Sequence, residues 1–262
     1  MADYFIEPPK KGVDKYMIMG DLHTDQLNLK CFKLAIKTAK IHNVTNLIVN
    51  GDLLDAVFLM AKNDLYKRWI KRIDGIEDFF IPTAEAEFAW GNWFFDTMQK
   101  QFKNIIYVEG NHDWRYFNFQ QQINHCFRHN FDVKTQLKLK ERGIKYIHYN
   151  DWINLGPQLA ITHGMYHGTS ACKNHMLAAG TSVIFSHIHQ EQVMSFVRRG
   201  NTISARSLPS MADLNPDYIK NRENNWSLGF GEIYLLPDGN WNFYCYTMWD
   251  NKIVLPGGKI LK

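Results

Sequence analysis

Four cysteines in 262 residues, Cys31, Cys126, Cys172 and Cys245, are too few and too scattered for a disulfide framework, and no Cys-x-x-Cys pair is present. They read as reduced thiols, so the expected compartment is the cytoplasm. Long apolar runs are missing as well. The longest stretch free of Asp, Glu, Lys and Arg, Trp152 to Cys172, contains Asn154, Gly156, Pro157, Gln158 and two histidines, which excludes a lipid-spanning helix there. Met1 to Lys15 is polar and lacks the apolar core of a secretory signal. Neither sign of charge prevails: 30 Lys and Arg against 26 Asp and Glu leave +4, too little to announce a nucleic-acid binder yet no obstacle to anionic ligands. Repeats and low-complexity tracts are absent.

What is present is a core-forming composition, 45% hydrophobic and 14% aromatic, which sets disorder aside. Short apolar runs alternate with amphipathic segments, the pattern of an α/β chain, and the length fits a single domain over residues 1–262. Runs at Tyr16 to Met19, Asn46 to Asn50, Ile105 to Val108, Lys145 to Tyr149, Trp152 to Leu155, Leu159 to Thr162 and Ser182 to Ser186 are expected strands. Leu29, Phe32, Ile36 and Ala39 recur at helical spacing, with Lys30, Lys33, Lys37 and Lys40 on the solvated faces. Residues 57–104 read as a helical insertion with two helical patterns, around Leu65 to Ile73 and over Thr83 to Phe102. In the second, Ala84, Phe88, Gly91, Phe95, Met98 and Phe102 form a stripe to be buried. Thr83 is its expected cap, with Glu85 and Glu87 near the positive end. A further helix is expected over Asp132 to Arg142, and a short one over Ser170 to Ala179.

Five polar clusters each follow an expected strand: Asp21-Leu22-His23, Gly51-Asp52-Leu53-Leu54-Asp55, Gly110-Asn111-His112-Asp113, His163-Gly164 and Ser186-His187-Ile188-His189. Any one is weak by itself; five in fixed order at strand ends, where open α/β sheets bind ligands, carry weight together.

The series resembles the calcineurin-like metallophosphoesterase superfamily, whose pattern is D-x-H, G-D-x-x-D, G-N-H-(D/E), a histidine usually followed by glycine, and G-H-x-H. The resemblance implies a four-layer α-β-β-α sandwich built on two mixed sheets. It also implies that Asp21, His23, Asp52 and His189 hold one divalent ion while Asp52, Asn111, His163 and His187 hold a second, with Asp52 shared. His112 is then the catalytic histidine, and Asp55 is the carboxylate that raises its pKa and orients its ring, with Asp113 as the competing partner. Oxygen and imidazole ligands without thiolate suit Mn²⁺ first, Fe or Zn²⁺ next. Such a pair generates a hydroxide nucleophile and clamps a phosphoryl group.

The expected function is thus a dinuclear-metal-dependent phosphoester hydrolase, inclined to diesters of the nuclease or cyclic-nucleotide type, with nucleic acid or a nucleotide as partner and no membrane. Ala56 follows Asp55 where phosphoprotein phosphatases carry Arg-Gly, which argues against a phosphoprotein substrate. Ser186 stands where the family usually has glycine. The alternatives are a phosphomonoesterase acting on a small metabolite or nucleotide, and a non-catalytic scaffold of the same fold. Arg115 is the candidate phosphate-orienting side chain. His163 is favoured as ligand over His167. His125 with His129, and Cys172 with His175, read as structural. Trp90 and Trp93, off the helical stripe, and Lys67, Arg68, Lys71 and Arg72 are the candidates for base stacking and backbone steering. Oligomeric state is not legible.

Overall fold

The computed structural model describes residues 3–59, 68–71, 77–80, 83–198, 200–216 and 223–262. Its strands are β1 (Asp3–Ile6), β2 (Asp14–Met19), β3 (Asn46–Asn50), β4 (Arg68–Lys71), β5 (Glu77–Phe80), β6 (Asn104–Val108), β7 (Lys145–Ile147) and β8 (Trp152–Leu155). They continue as β9 (Leu159–Thr162), β10 (Ser182–Phe185), β11 (Gln192–Arg198), β12 (Asn201–Ser207), β13 (Gly229–Leu235), β14 (Trp241–Thr247), β15 (Ile253–Val254) and β16 (Ile260–Leu261). The helices are α1 (Leu29–His42), α2 (Ala84–Met98), α3 (Trp114–Gln122), α4 (Val133–Gln136) and α5 (Ala171–Ala179).

Two mixed sheets dominate. One has the order β14-β13-β2-β3-β6-β7, and the other β1-β8-β9-β10-β12-β11. Side chains alternate across a strand, and the layers follow from that alternation. Met17, Met19, Leu47, Val49, Ile105 and Tyr107 face outward and pack with Phe32 and Ala35 of α1 and Phe94, Phe95 and Met98 of α2. The residues between them, Ile18, Ile48 and Ile106, face inward against Ile153, Leu159, Ile161 and Ile184 of the second sheet. On that sheet's far side Ala160, Val183, Phe185 and Ala205 meet Cys172 and Met176 of α5. The result is helix, sheet, sheet, helix, as the resemblance implies.

Strands β2, β3 and β6 run parallel, in register from Met19 to Val49 and from Asn50 to Val108, so their carboxyl ends share one edge. Strands β9 and β10 are likewise parallel, with Thr162 opposite Phe185. The segments after these five strands carry the five polar clusters.

Two expectations need correction. Where a helix was expected around Leu65 to Ile73, Arg68–Lys71 is a strand paired antiparallel with Glu77–Phe80; the rest of that segment, with Lys67 and Arg72, lies outside the described residues. The helix expected over Asp132 to Arg142 is only Val133–Gln136. Asp132 does cap it, accepting from the Thr135 N–H at 3.0 Å, but Lys138 turns left-handed at φ 53° and ends it. Glu87 stands with Glu85 in the first turn of α2, as expected. It is buried, and its carboxylate accepts the Ala56 N–H at 2.9 and 3.0 Å and the Tyr116 hydroxyl at 3.0 Å.

The stripe on α2 is otherwise buried as expected, with Thr83 accepting from the Ala86 N–H at 3.1 Å. Trp90 and Trp93 pack half-buried against the core, Trp90 stacked on Phe94, rather than forming an open platform. Lys30, Lys33, Lys37 and Lys40 are solvent-exposed. All four cysteines are free, and no helix among the described residues is long and apolar enough to cross a membrane.

Candidate metal centre

The loops after the parallel strands are tied to one another through their backbones. The Asp21 N–H donates to the Gly51 carbonyl at 3.1 Å, the His23 N–H to the Asp52 carbonyl at 2.9 Å, and the Ser186 N–H to the His163 carbonyl at 2.8 Å. These segments are conformationally costly: Asp21, His23, Asp52, His187 and His189 all have φ between 49° and 75°, where a side chain is disfavoured. Residues held this way by surrounding structure concentrate at functional sites. Two glycines allow the close approach. A Cβ on Gly51, itself at φ 85°, would lie 2.1 Å from His163 Nδ1, and one on Gly110 would lie 2.1 Å from Asp52 Oδ1.

Three groups of donor atoms result, the third being His23, Asp55 and His112. Asp21, His23 and His189 bring theirs within 4.8 Å of one another, and so do Asp52, His163 and His187. Asn111 belongs with the second group, its Oδ1 lying 2.8 Å from His187 Nδ1 and 3.0 Å from His163 Nε2. Asp52 stands between the first two groups, its Oδ2 3.8 Å from His23 Nε2 and 3.4 Å from His163 Nε2. All seven side chains named for metal binding are thus brought together.

The hydrogen bonds behind these groups show what the centre can accept. His163 donates its Nδ1–H to the Asn50 carbonyl at 2.8 Å, so in the neutral ring the Nε2 lone pair faces two acceptor oxygens, Asp52 Oδ2 and Asn111 Oδ1. His23 likewise uses Nδ1 on Asp55 Oδ1 at 3.2 Å and turns Nε2 towards His189 Nε2 at 3.0 Å. Lone pair set against lone pair is unfavourable unless a cation stands between. The buried carboxylates and imidazoles therefore fit a pair of divalent ions, with His23 and His163 each oriented by a bond from the other nitrogen.

The electrostatics agree. Burial opposes charging His163, but Asp52 and Asp21 overcome it and lift its pKa to about 9, a measure of how strongly this pocket attracts positive charge. Burial opposes ionisation of Asp52 too, yet the surrounding histidines hold it well below the usual carboxylate range. Burial and the neighbouring His163 push His187 down to about 4, and burial with His112 lowers His23, leaving both neutral as ligands must be.

His112 stands at the mouth, its side chain 23% exposed and its Nε2 4.0 Å from Asp52 Oδ2. Its Nδ1 meets Asp55 Oδ1 at 2.8 Å. Burial disfavours the charged ring, but Asp52 and the Asp55 bond outweigh it and raise the His112 pKa. Asp113 is not the partner of His112: it is buried, accepts the Leu54 N–H at 2.7 Å and the Gly110 N–H at 2.8 Å, and braces two of the loops. Arg115 donates from Nη1 to the Asp55 carbonyl at 2.8 Å, which puts its guanidinium beside His112.

Residues 15–202 match the model of the calcineurin-like phosphoesterase family. The chain belongs to that family. No curated protein sequence matches this calcineurin-like phosphoesterase. It is similar to the structure of a single mutant of Vps29 from Entamoeba histolytica, at 11% identity and TM-score 0.48, over 94% of this chain and 97% of that one. It is also similar to Yfce, a phosphoesterase from E. coli, at 15% identity and TM-score 0.39, over 88% of this chain and 98% of the other. A dimetal phosphatase from Danio rerio is similar at 9% identity and TM-score 0.43, over 85% and 93%.

Sequence reasoning missed several supporting contacts of this calcineurin-like centre. Asp55 serves His23 as well as His112, and its other oxygen accepts from Gln26 Nε2 at 3.1 Å. Asn50 orients His163 through its carbonyl, and its amide donates to Ser186 Oγ at 2.9 Å, so the serine that replaces the usual glycine has a structural bond. Trp226 covers His189, with ring centroids 4.3 Å apart. Asp55 was legible from the G-D-x-x-D spacing, but Gln26, Asn50 and Trp226 have no motif spacing, and only the polar type of Asn50, just before Gly51, was a signal. His167 is exposed and outside the cluster. His175 is buried, accepting the Met165 N–H at 3.0 Å and stacking on Phe185, and His125 and His129 lie on an exposed turn.

Proposed function

We propose that the chain is a dinuclear-metal-dependent phosphoester hydrolase acting on phosphodiesters. The observation that carries the reading is Asp52 standing between two groups of carboxylate, imidazole and amide donors, with the His112–Asp55 pair at their mouth. In this reading Asp21, His23, Asp52 and His189 hold one ion, and Asp52, Asn111, His163 and His187 the other. Manganese suits the oxygen and nitrogen donors best, with Fe or Zn²⁺ next. Bound ions would polarise the phosphoryl oxygens and bring water to the nucleophilic form near neutral pH.

The remaining chemistry belongs to the chain. His112, whose charged form Asp52 and Asp55 favour, faces the centre with Nε2 and is placed to protonate the departing alkoxide. Arg115 is placed to orient a phosphoryl oxygen. The lean to diesters rests on charge. Ala56 is buried and its N–H is held by Glu87, so the position that carries arginine in phosphoprotein phosphatases offers no cation here. A monoanionic diester needs less compensation than a dianionic monoester. A reducing, cytoplasmic setting is in keeping with four free thiols.

Turnover of bis-p-nitrophenyl phosphate and p-nitrophenyl phosphate in Mn²⁺ tests this. Faster diester hydrolysis is expected. Faster monoester hydrolysis reverses the lean, and no turnover of either would instead favour a scaffold.

A further inference from the structure

Helix α3 begins two residues after His112 and places Trp114 and Phe117 one turn apart. Both rings are open to solvent, 37% and 46% exposed. They lie within 21° of parallel, with centroids 6.3 Å apart. Trp114 is 5.6 Å from Tyr149 with the rings tilted by 38°, and Tyr149 is 6.4 Å from His163 with a tilt of 56°. Tyr149 is held in place, its N–H donating to the buried Glu109 carboxylate at 3.0 Å. A row of three rings therefore runs outward from the side of the metal centre formed by His163, His187 and Asn111.

Singly exposed aromatics are ordinary on a protein surface, but a contiguous row that starts at a reaction centre is not. Arg115 sits in sequence between the two exposed rings and supplies a cation near the same helix end. Flat π-faces in a row beside a phosphodiester centre suit unpaired nucleobases, which stack on aromatic side chains without regard to sequence. A duplex hides those faces within its own stack, and a mononucleotide could occupy only the innermost ring.

We infer that Tyr149, Trp114 and Phe117 form a base-stacking track and that the substrate is a single-stranded oligonucleotide. This rests on the hydrolase reading above and names its substrate class. The track is not formed by Trp90 and Trp93 of the insertion, which pack half-buried against the core.

Binding can be measured apart from turnover, by fluorescence anisotropy of labelled octathymidylate and octauridylate with and without chelator. Stacking contributes about five- to 150-fold per base, so the double variant Trp114→Ala, Phe117→Ala should weaken binding of at least one oligomer by tenfold or more. Trp114→Phe, which keeps a ring, should retain most of the affinity. Both side chains are exposed, and thermal denaturation checks that the variants fold. An unchanged affinity in the double variant, equal affinity for thymidine monophosphate and the octamer, or tighter binding of duplex would overturn the track. Wild-type turnover of bis-p-nitrophenyl phosphate separates the two claims. Turnover with track-independent oligonucleotide binding overturns the track alone; track-dependent binding with no turnover overturns the hydrolase reading alone.

Discussion

Replacing Asp55 with Asn removes one negative charge and little volume, at a point where two histidines meet. Asp55 Oδ1 lies 2.8 Å from His112 Nδ1 and 3.2 Å from His23 Nδ1, and the side chain is nearly buried. Each contact is a charge-assisted bond, contributing about 1.5–3 kcal/mol. At His112 the loss lowers the pKa, because burial still opposes the charged ring while one of its two supporting carboxylates is gone. The proton needed by the leaving group is then absent over more of the pH range. Diester turnover should fall by about a hundred- to ten-thousand-fold, and the alkaline limb of the rate profile should move to lower pH. At His23 the loss removes the bond that sets the tautomer, and affinity at the first metal position should drop by about ten- to a hundredfold. The assay is a pH–rate profile for bis-p-nitrophenyl phosphate, with Mn²⁺ titration of the same protein. An Asp55→Asn variant with unchanged turnover, alkaline limb and metal affinity would refute the assignment of Asp55 to both histidines.

Other outcomes follow from the same geometry. Burial and the nearby Asp55 charge raise Glu87 from 4.5 to about 8. The folded state therefore keeps a proton that the unfolded state has lost. Its contribution is constant below about pH 4.5 and declines as pH rises towards 8, with a limiting slope of about 1.4 kcal/mol per pH unit. Denaturant unfolding across this range should show a shallower decline in Glu87→Gln, and parallel curves for the two proteins would contradict the shift. Gly110→Ala puts a Cβ 2.2 Å from the Asp52 backbone nitrogen, which cannot move as a flexible side-chain end could. Stability should fall by about 1–3 kcal/mol or more, with loss of metal binding; an unchanged melting temperature and metal content would show that the loop relaxes freely. His112→Ala should suppress diester turnover while retaining metal, and unchanged turnover would remove His112 from the chemistry.

The positions of the centre's side chains were legible because each follows a short apolar run that stops at a polar residue. Parallel pairing of β2, β3 and β6, and of β9 and β10, does the rest, since it gathers the ends of distant segments on one edge. The supporting bonds were hidden because they span the chain: Asn50 meets Ser186, and Glu87 meets Ala56 and Tyr116, with no periodicity to betray them. The same holds for Trp114 and Tyr149, which meet across the chain where Glu109 accepts the Tyr149 N–H after β7. Around Leu65 to Ile73 the apolar spacing fits a helix, but a short run does not decide between periods, and Arg68–Lys71 pairs as a strand. Beyond Asp132 a sound N-terminal cap was visible, whereas the left-handed Lys138 that ends the helix has no glycine to mark it.

Elemental analysis and anomalous diffraction on protein equilibrated with Mn²⁺ test the central claim most directly. The account predicts two ions per chain, both in contact with the Asp52 carboxylate, one beside Asp21, His23 and His189 and the other beside Asn111, His163 and His187. Crystals saturated with Mn²⁺ in which Asp52 touches no ion would contradict it.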